Sequence, residues 1–296
     1  MEAKQQREII KQIRQTPELA DAFGAPRMAW PTIGVLLWSI GGYALITYAY
    51  LMGLVSPLIT IPVAAFFIFW SFTPLHEAVH RNVSNIGWLN DAIGTFSAQL
   101  LLPGFSSALY RYLHITHHAR AGQVDDPDIK FNSSNLLSRY IGAAFLDALW
   151  TRFYFANWTE RPTAERARFM LGLAFYVSLI VVGFASPYAF EFTMAFVLPV
   201  LLGRIIVVHL FASIQHQEGH EQRHDPIGAT WMQDVHSQWW QRYFMFGQSQ
   251  HLMHHLYPNV PWYNYDRIWR KAQKLIPAEK IRWGGYIKRH RRPFEL

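Results

Sequence analysis

Residues 28–75 read MAWPTIGVLLWSIGGYALITYAYLMGLVSPLITIPVAAFFIFWSFTPL, without one charged side chain. About 20 apolar residues cross the hydrocarbon core of a bilayer, so this run is too long for one span. The stretch GLVSP (Gly53–Pro57) offers a turn in its middle. The reading is a helical hairpin with spans near Pro31–Met52 and Ser56–Phe72. Further along, Phe169–Ala185 and Phe192–Leu210 form a second hairpin around SPYAFE (Ser186–Glu191). Arg204 lies inside the fourth span. It either faces protein or water, or snorkels from near the helix end.

Composition agrees with this reading. Of 296 residues, 51% are hydrophobic and 16% charged, with 12 Trp, 14 Tyr and 21 Phe. A soluble domain carries about 25% charged residues. The segment Ala92–Leu109 (AIGTFSAQLLLPGFSSAL) is apolar but interrupted by Pro-Gly and small polar residues. It reads as interfacial or re-entrant rather than spanning. Neither short turn contains Lys or Arg, although the chain holds 27 basic residues. The positive-inside bias then puts both turns outside and both termini in the cytoplasm. It also accounts for the net charge of +7 without nucleic acid.

The expected organisation is a single all-α integral membrane domain with four transmembrane helices in two hairpins and a cytoplasmic helical cap. Its parts are an N-terminal cytoplasmic segment (1–27), the first hairpin (28–75), a cytoplasmic or interfacial region (76–168), the second hairpin (169–212) and a cytoplasmic region (213–296). Residues 1–25 lack the apolar core of a secretory signal and read as a surface or amphipathic helix. The run KRHRRP (Lys288–Pro293) reads as a solvated or headgroup-facing tail.

The polar regions concentrate the 14 histidines. HEAVH places His76 and His80 at helical i, i+4 spacing. HITHH (His114, His117, His118) and HLMHH (His251, His254, His255) each set three imidazoles on one helical stripe. HQEGH adds His216 and His220. With no cysteine in the chain, thiolate sites, iron–sulfur clusters and disulfides are excluded. So many imidazoles exceed the needs of one metal and suit two ions with four or five nitrogen ligands each. Imidazole alone accommodates Fe, Zn, Cu or Ni. HEAVH also fits the H-E-x-x-H pattern of zinc proteases, in which the two triplets would have no role. A metal transporter is a further class, but it would want ligands within its spans. His209, His236 and His290 read as ordinary core histidines and His224 as a loop residue. Glu77, Asp125, Asp126, Asp128, Glu218 and Asp234 could each hold an imidazole by its other ring nitrogen. VDDPD (Val124–Asp128) also reads as a plain acidic turn.

The three boxes HEAVH, HITHH and HLMHH, in this order and with paired spans between the second and third, resemble the membrane fatty-acid desaturase/hydroxylase superfamily over roughly Trp70–Trp269. The resemblance implies a non-haem centre of two Fe ions, with O2 as co-substrate, that attacks an unactivated C–H bond of a fatty acyl chain. Carried over residue by residue, it implies His76, His80, His114, His117, His118, His216, His251, His254 and His255 as ligands, with His220 a further candidate. HHARAGQVDDPDIKF, QHQEGHEQRHDP and FGQSQHLMHHLYPNVPWYNY are similar to carotenoid ketolases and hydroxylases as well, so a carotenoid-ring substrate is the alternative. HEAVHRN departs from the ketolase first box, where Gly commonly follows the second His. Lipid substrate and membrane are the implied partners. Without cysteines or a cytochrome-like stretch, electrons are expected from an external donor such as a ferredoxin and its reductase. Arg267, Arg270, Lys271 and Lys274 form a landing patch for it or a contact with lipid headgroups. The aromatics around Phe66–Phe72 and Leu100–Tyr110 are candidate walls of a substrate tunnel.

Overall fold

The structure, a computed structural model, describes residues 1–132, 135–216, 220–233 and 244–284. In chain order the main helices are α1 (Ala3–Arg14), α2 (Trp30–Leu51), α3 (Pro57–Val79), α4 (Gly87–Leu101), α5 (Ser107–Arg120), α6 (Leu136–Ala144) and α7 (Leu146–Ala156). They continue as α8 (Thr163–Ala185), α9 (Ala189–Ser213), α10 (His251–Leu256) and α11 (Tyr265–Ala272). Two short strands, β1 (Trp231–Gln233) and β2 (Arg282–Gly284), pair in parallel, with Met232 opposite Trp283. The expected spans correspond to α2, α3, α8 and α9, each long and apolar enough to cross a membrane. The chain forms two compact units, whose boundaries fall before α2 and within α5, α6 and α9.

The first unit comprises residues 28–113 and 140–208. The α2–α3 turn forms where Gly53 adopts φ +73 and its N–H bonds the Tyr50 carbonyl. Ser56 then precedes Pro57 at the first turn of α3, where a missing N–H costs nothing. Helix α3 is the centre of this unit and packs against α2, α4 and α9. Close approach relies on small residues, as expected where lipid supplies no hydrophobic drive between helices. A Cβ on Gly42 would lie 2.1 Å from the Phe67 ring, and one on Gly203 would lie 2.7 Å from Ile68.

Residues 92–109 do not form one continuous helix. Helix α4 has 15 residues and lies along α3, with Ser97 Oγ donating to the Ser71 carbonyl at 2.6 Å. The chain breaks after Leu101 because Gly104 turns at φ +85. Gln99 holds the break from both sides: its Oε1 accepts from Gly104 N at 2.7 Å and its Nε2 donates to the Phe105 carbonyl at 3.0 Å. The break rests on α8, where a Cβ on Gly104 would come within 2.5 Å of the Gly172 carbonyl oxygen. Among the expected tunnel-wall aromatics, Tyr110 packs edge-on against Phe72 at 5.4 Å and at a tilt against Trp150 at 5.3 Å.

Arg204 does not snorkel. It is 1% exposed, its Nε donates to the Leu101 carbonyl at 3.0 Å, and its Nη1 lies 3.0 Å from the Asp147 carboxylate. The Tyr176 ring lies 6.0 Å from its guanidinium. An intramembrane charge is thus met by a carboxylate, a carbonyl and an aromatic face.

The second unit comprises residues 1–27, 114–139 and the chain from 209 onward. Its core gathers Ile13 and Leu19 with Met232, Leu252, Met253, Tyr257, Ile268, Trp269 and Trp283. Helix α1 is amphipathic as expected: Ile9, Ile10 and Ile13 face this core while Lys4, Lys11 and Arg14 are exposed. Gln6 ties it down, donating to Asp225 at 2.8 Å and accepting from Ile227 N at 2.9 Å. The anticipated basic patch on α11 is largely used within the chain. Arg267 pairs with Asp21 at 2.6 Å, Arg270 with Asp266 at 2.9 Å, and Lys271 lies 3.8 Å from Glu18.

Removing Asp147 alone leaves a buried guanidinium uncompensated, at a cost of about 3–5 kcal/mol. Asp147→Ala should therefore lower the thermal unfolding midpoint in detergent markedly. The double change Arg204→Met, Asp147→Leu should be milder than the single one. A double variant as unstable as Asp147→Ala would show that the pair is not what the single change disturbs.

Candidate metal centre

The site lies in the second unit and is built from three chain segments. Helix α5 ends in His114, His117 and His118, whose i, i+3, i+4 spacing turns all three rings to one side. Helix α10 is short and wholly taken up by the box, with His251, His254 and His255 buried. His216 follows the end of α9, where an isolated antiparallel bridge to Thr230 fixes its backbone.

These seven imidazoles meet nitrogen to nitrogen. His118 Nε2 lies 3.1 Å from His114 Nε2 and 2.8 Å from His254 Nε2. His251 Nε2 lies 3.0 Å from His216 Nε2 and 3.1 Å from His255 Nε2. A second route into the same region joins His117, His216 and His255, whose candidate ligand atoms all lie within 4.8 Å of one another. The ring centroids of His118 and His255 are 4.4 Å apart, so the two sets are adjacent.

The arrangement fits metal ions. Bonds of about 2.0–2.1 Å to imidazole nitrogen, meeting near right angles, place neighbouring nitrogens about 2.9 Å apart. The observed 2.8–3.1 Å separations match that edge. The donors are all nitrogen, which suits Fe, Zn, Cu or Ni.

Three rings are held from behind through Nδ1, leaving Nε2 to face the centre. His117 Nδ1 is 2.9 Å from Asp126 Oδ1. His255 Nδ1 is 2.8 Å from Gln222 Oε1, and Gln222 Nε2 donates to the His255 carbonyl at 3.2 Å. His254 Nδ1 is 3.0 Å from the Tyr265 hydroxyl. Asp126 is in turn held by the backbone N–H groups of Gly122 (3.1 Å) and Asp128 (2.9 Å). Gly122 sits at φ +82, where a Cβ would meet the His220 carbonyl oxygen at 2.3 Å, so this turn requires glycine.

Electrostatics follows from this wiring. Burial pushes His216 down to about 3, with the neighbouring His117 adding to the effect. Burial also holds His255 well below its ordinary value, helped by His118, His216 and His251. Both are therefore neutral, the form in which imidazole binds a metal. Burial opposes charge on His117 too, but the Asp126 carboxylate outweighs it and lifts the ring to about 9. Burial alone would raise the Asp126 carboxyl. His117 and the two backbone donors hold it below its usual value instead.

His76 and His80 belong to the first unit, at the C-terminal end of α3, both buried and with rings 5.1 Å apart. Glu77 is buried beside them, 3.6 Å from His76 Nδ1. His220 is not gathered with the seven: its Nε2 faces the Arg282 guanidinium at 2.9 Å. Burial and that cation lower its pKa. Asp125 is surface-exposed and pairs with Arg120 at 2.9 Å, while Asp128 lies 3.9 Å from His117 Nδ1. Glu218, Asp234, His236 and His290 lie outside the described residues. His209 is partly buried in α9, and His224 is exposed beside Glu221 at 3.5 Å. Gln222 and Tyr265 escaped the sequence reading. Neither residue type signals a metal site, and each reaches its histidine only through the fold.

A family model described as fatty acid desaturase matches residues 52–286, most of the chain. A curated relative, the bifunctional fatty acid conjugase/Delta(12)-oleate desaturase of Punica granatum, is 38% identical over 55 residues. That stretch spans 18% of this chain and only 13% of the relative.

His117→Ala and His254→Ala should each lower the metal content of the purified protein, measured by elemental analysis, whereas His220→Ala should leave it unchanged. Loss of metal in His220→Ala equal to that in His117→Ala would put His220 back among the ligands.

Proposed function

The chain belongs to the fatty acid desaturase family, and we propose that it is a membrane-bound non-haem di-iron oxidoreductase. It uses O2 and electrons from outside the chain to desaturate or hydroxylate a fatty acyl chain. The observation that carries this reading is the group of seven imidazoles, six of them buried, in which His114, His118, His254, His216, His251 and His255 stand Nε2 to Nε2 one coordination edge apart. His76 and His80 complete the ligand set in this reading, on the strength of their box spacing. Bound iron supplies the activation of O2 and the power to take hydrogen from an unactivated CH2 group.

The chain's own contribution is positional. Asp126, Gln222 and Tyr265 fix ring planes and keep the ligand nitrogens pointing inward, which tightens binding and selects geometry. Burial of His114, His117, His216, His251, His254 and His255 keeps bulk water from the reacting region. The apolar spans dissolve the substrate chain, and selective attack on one carbon requires that carbon to be held near the centre. The sequence has no cysteine, which supports borrowing electrons from a carrier such as a ferredoxin with its reductase. The absence of Lys and Arg from Gly53–Pro57 and Ser186–Glu191 supports cytoplasmic termini and a cytoplasmic metal centre.

A zinc protease built on His76, Glu77 and His80 has no use for the other seven imidazoles. The carotenoid-ring alternative shares the metal chemistry and differs in product.

The test is expression in a host supplied with fatty acids, with product extraction, and in parallel in a host that makes β-carotene. New unsaturated or hydroxylated acyl chains are expected, accompanied by two irons per chain. His117→Ala and His254→Ala should each reduce product by about 100-fold or more. Oxidised carotenoid with unchanged fatty acids would move the assignment to the ring substrate. One zinc per chain, with activity surviving in His254→Ala, would overturn the di-iron reading.

A further inference from the structure

Asp126, Gln222 and Tyr265, each behind one imidazole of the site, differ in kind. Asp126 offers an ionised carboxylate. Gln222 offers an amide oxygen, assigned because its nitrogen donates to the His255 carbonyl. Both groups can only accept at the atom that meets the ring. His117 and His255 must therefore carry hydrogen on Nδ1, which leaves Nε2 as the nitrogen that can bind a metal. Tyr265 offers a phenol, which can accept from His254 Nδ1 or donate to it. In the second case the ring hydrogen moves to Nε2 and the lone pair facing the centre is lost. Acceptor strength follows the same order, since a carboxylate makes a hydrogen-bonded imidazole a stronger metal donor than a phenol oxygen does.

The rings sort by partner. His117 and His255 belong together with His216, and His254 stands with His114 and His118. We propose that the two metal positions are unequal. The position of His117, His216 and His255, locked by Asp126 and Gln222, loads first and holds its ion tightly. The position of His114, His118 and His254, governed by Tyr265, loads second and exchanges. Tyr265 is a positioning residue whose hydroxyl decides whether His254 presents a lone pair or a hydrogen. The proposal rests on the two-metal reading above.

The experiment uses the full chain in detergent micelles, stripped of metal and titrated anaerobically with Co(II), whose visible bands report coordination. Wild-type protein should take up two ions in two resolved steps. Asp126→Asn should weaken the first step by about 10–100-fold and leave the second in place. Tyr265→Phe should alter the affinity and visible bands of the second step only. Helical circular dichroism and monodisperse elution identify variants that have merely lost their fold, and Asp126→Glu, which restores the carboxylate, should recover part of the first step. Two ions bound with a single constant, or a first step shifted by Tyr265→Phe, would overturn the inequality while leaving the two-metal reading intact. A wild-type protein that binds one ion would overturn both.

Discussion

A buried imidazole nitrogen must face a proton donor or a cation, and in this chain several face one another. His118, His251 and their neighbours stand at 2.8–3.1 Å, Nε2 to Nε2, and all of these rings but His118 are buried. A ring N–H serves one neighbour at a time, and any lone pairs left converging in a low-dielectric interior repel unless positive charge lies between them. The rest of the second unit serves this constraint. The Gly122 turn presents Asp126, the bridge at Thr230 fixes His216, and α10 is only long enough to carry its box. The cost of assembling these rings is offset when a metal binds, so metal affinity and folding of this unit are linked.

The first unit solves a different electrostatic problem by the same rule. Arg204 sits in an apolar helix and is tolerated because Asp147, the Leu101 carbonyl and Tyr176 surround it. Such a pair adds little net stability compared with apolar residues, but it makes one arrangement of α9, α7 and the α4 terminus distinctly better than its neighbours.

Much of the fold was legible because membrane burial writes long, coarse signals. Uncharged runs, a glycine turn and the missing Lys and Arg in two loops suffice to find four helices. Their ends were less legible. Helix α8 begins at Thr163, ahead of the expected Phe169, since backbone hydrogen bonding continues through the charged residues AERAR that hydropathy treats as outside. The strands β1 and β2 are three residues each, too short to show alternation. The converging histidines of α5 and α10 were legible because helical spacing aligns them. His220 has similar local surroundings in the sequence and differs only in meeting Arg282, a contact 62 residues away along the chain. Gln222 and Tyr265 were invisible for the same reason, since hydrogen bonds made across turns leave no periodicity. The basic patch on α11 read as free charge because its partners Asp21 and Glu18 lie near the other terminus.

A donor set made entirely of nitrogen also bears on how long the protein lasts. Thiolates exposed to oxygen chemistry climb from sulfenic to sulfonic acid and are lost as ligands. This chain has none to lose. The one sulfur within the third box, on Met253, points into the apolar core with Leu252 and Trp269. Under the proposed chemistry, a ligand shell made of imidazoles therefore presents no thiol for stray oxidant to consume.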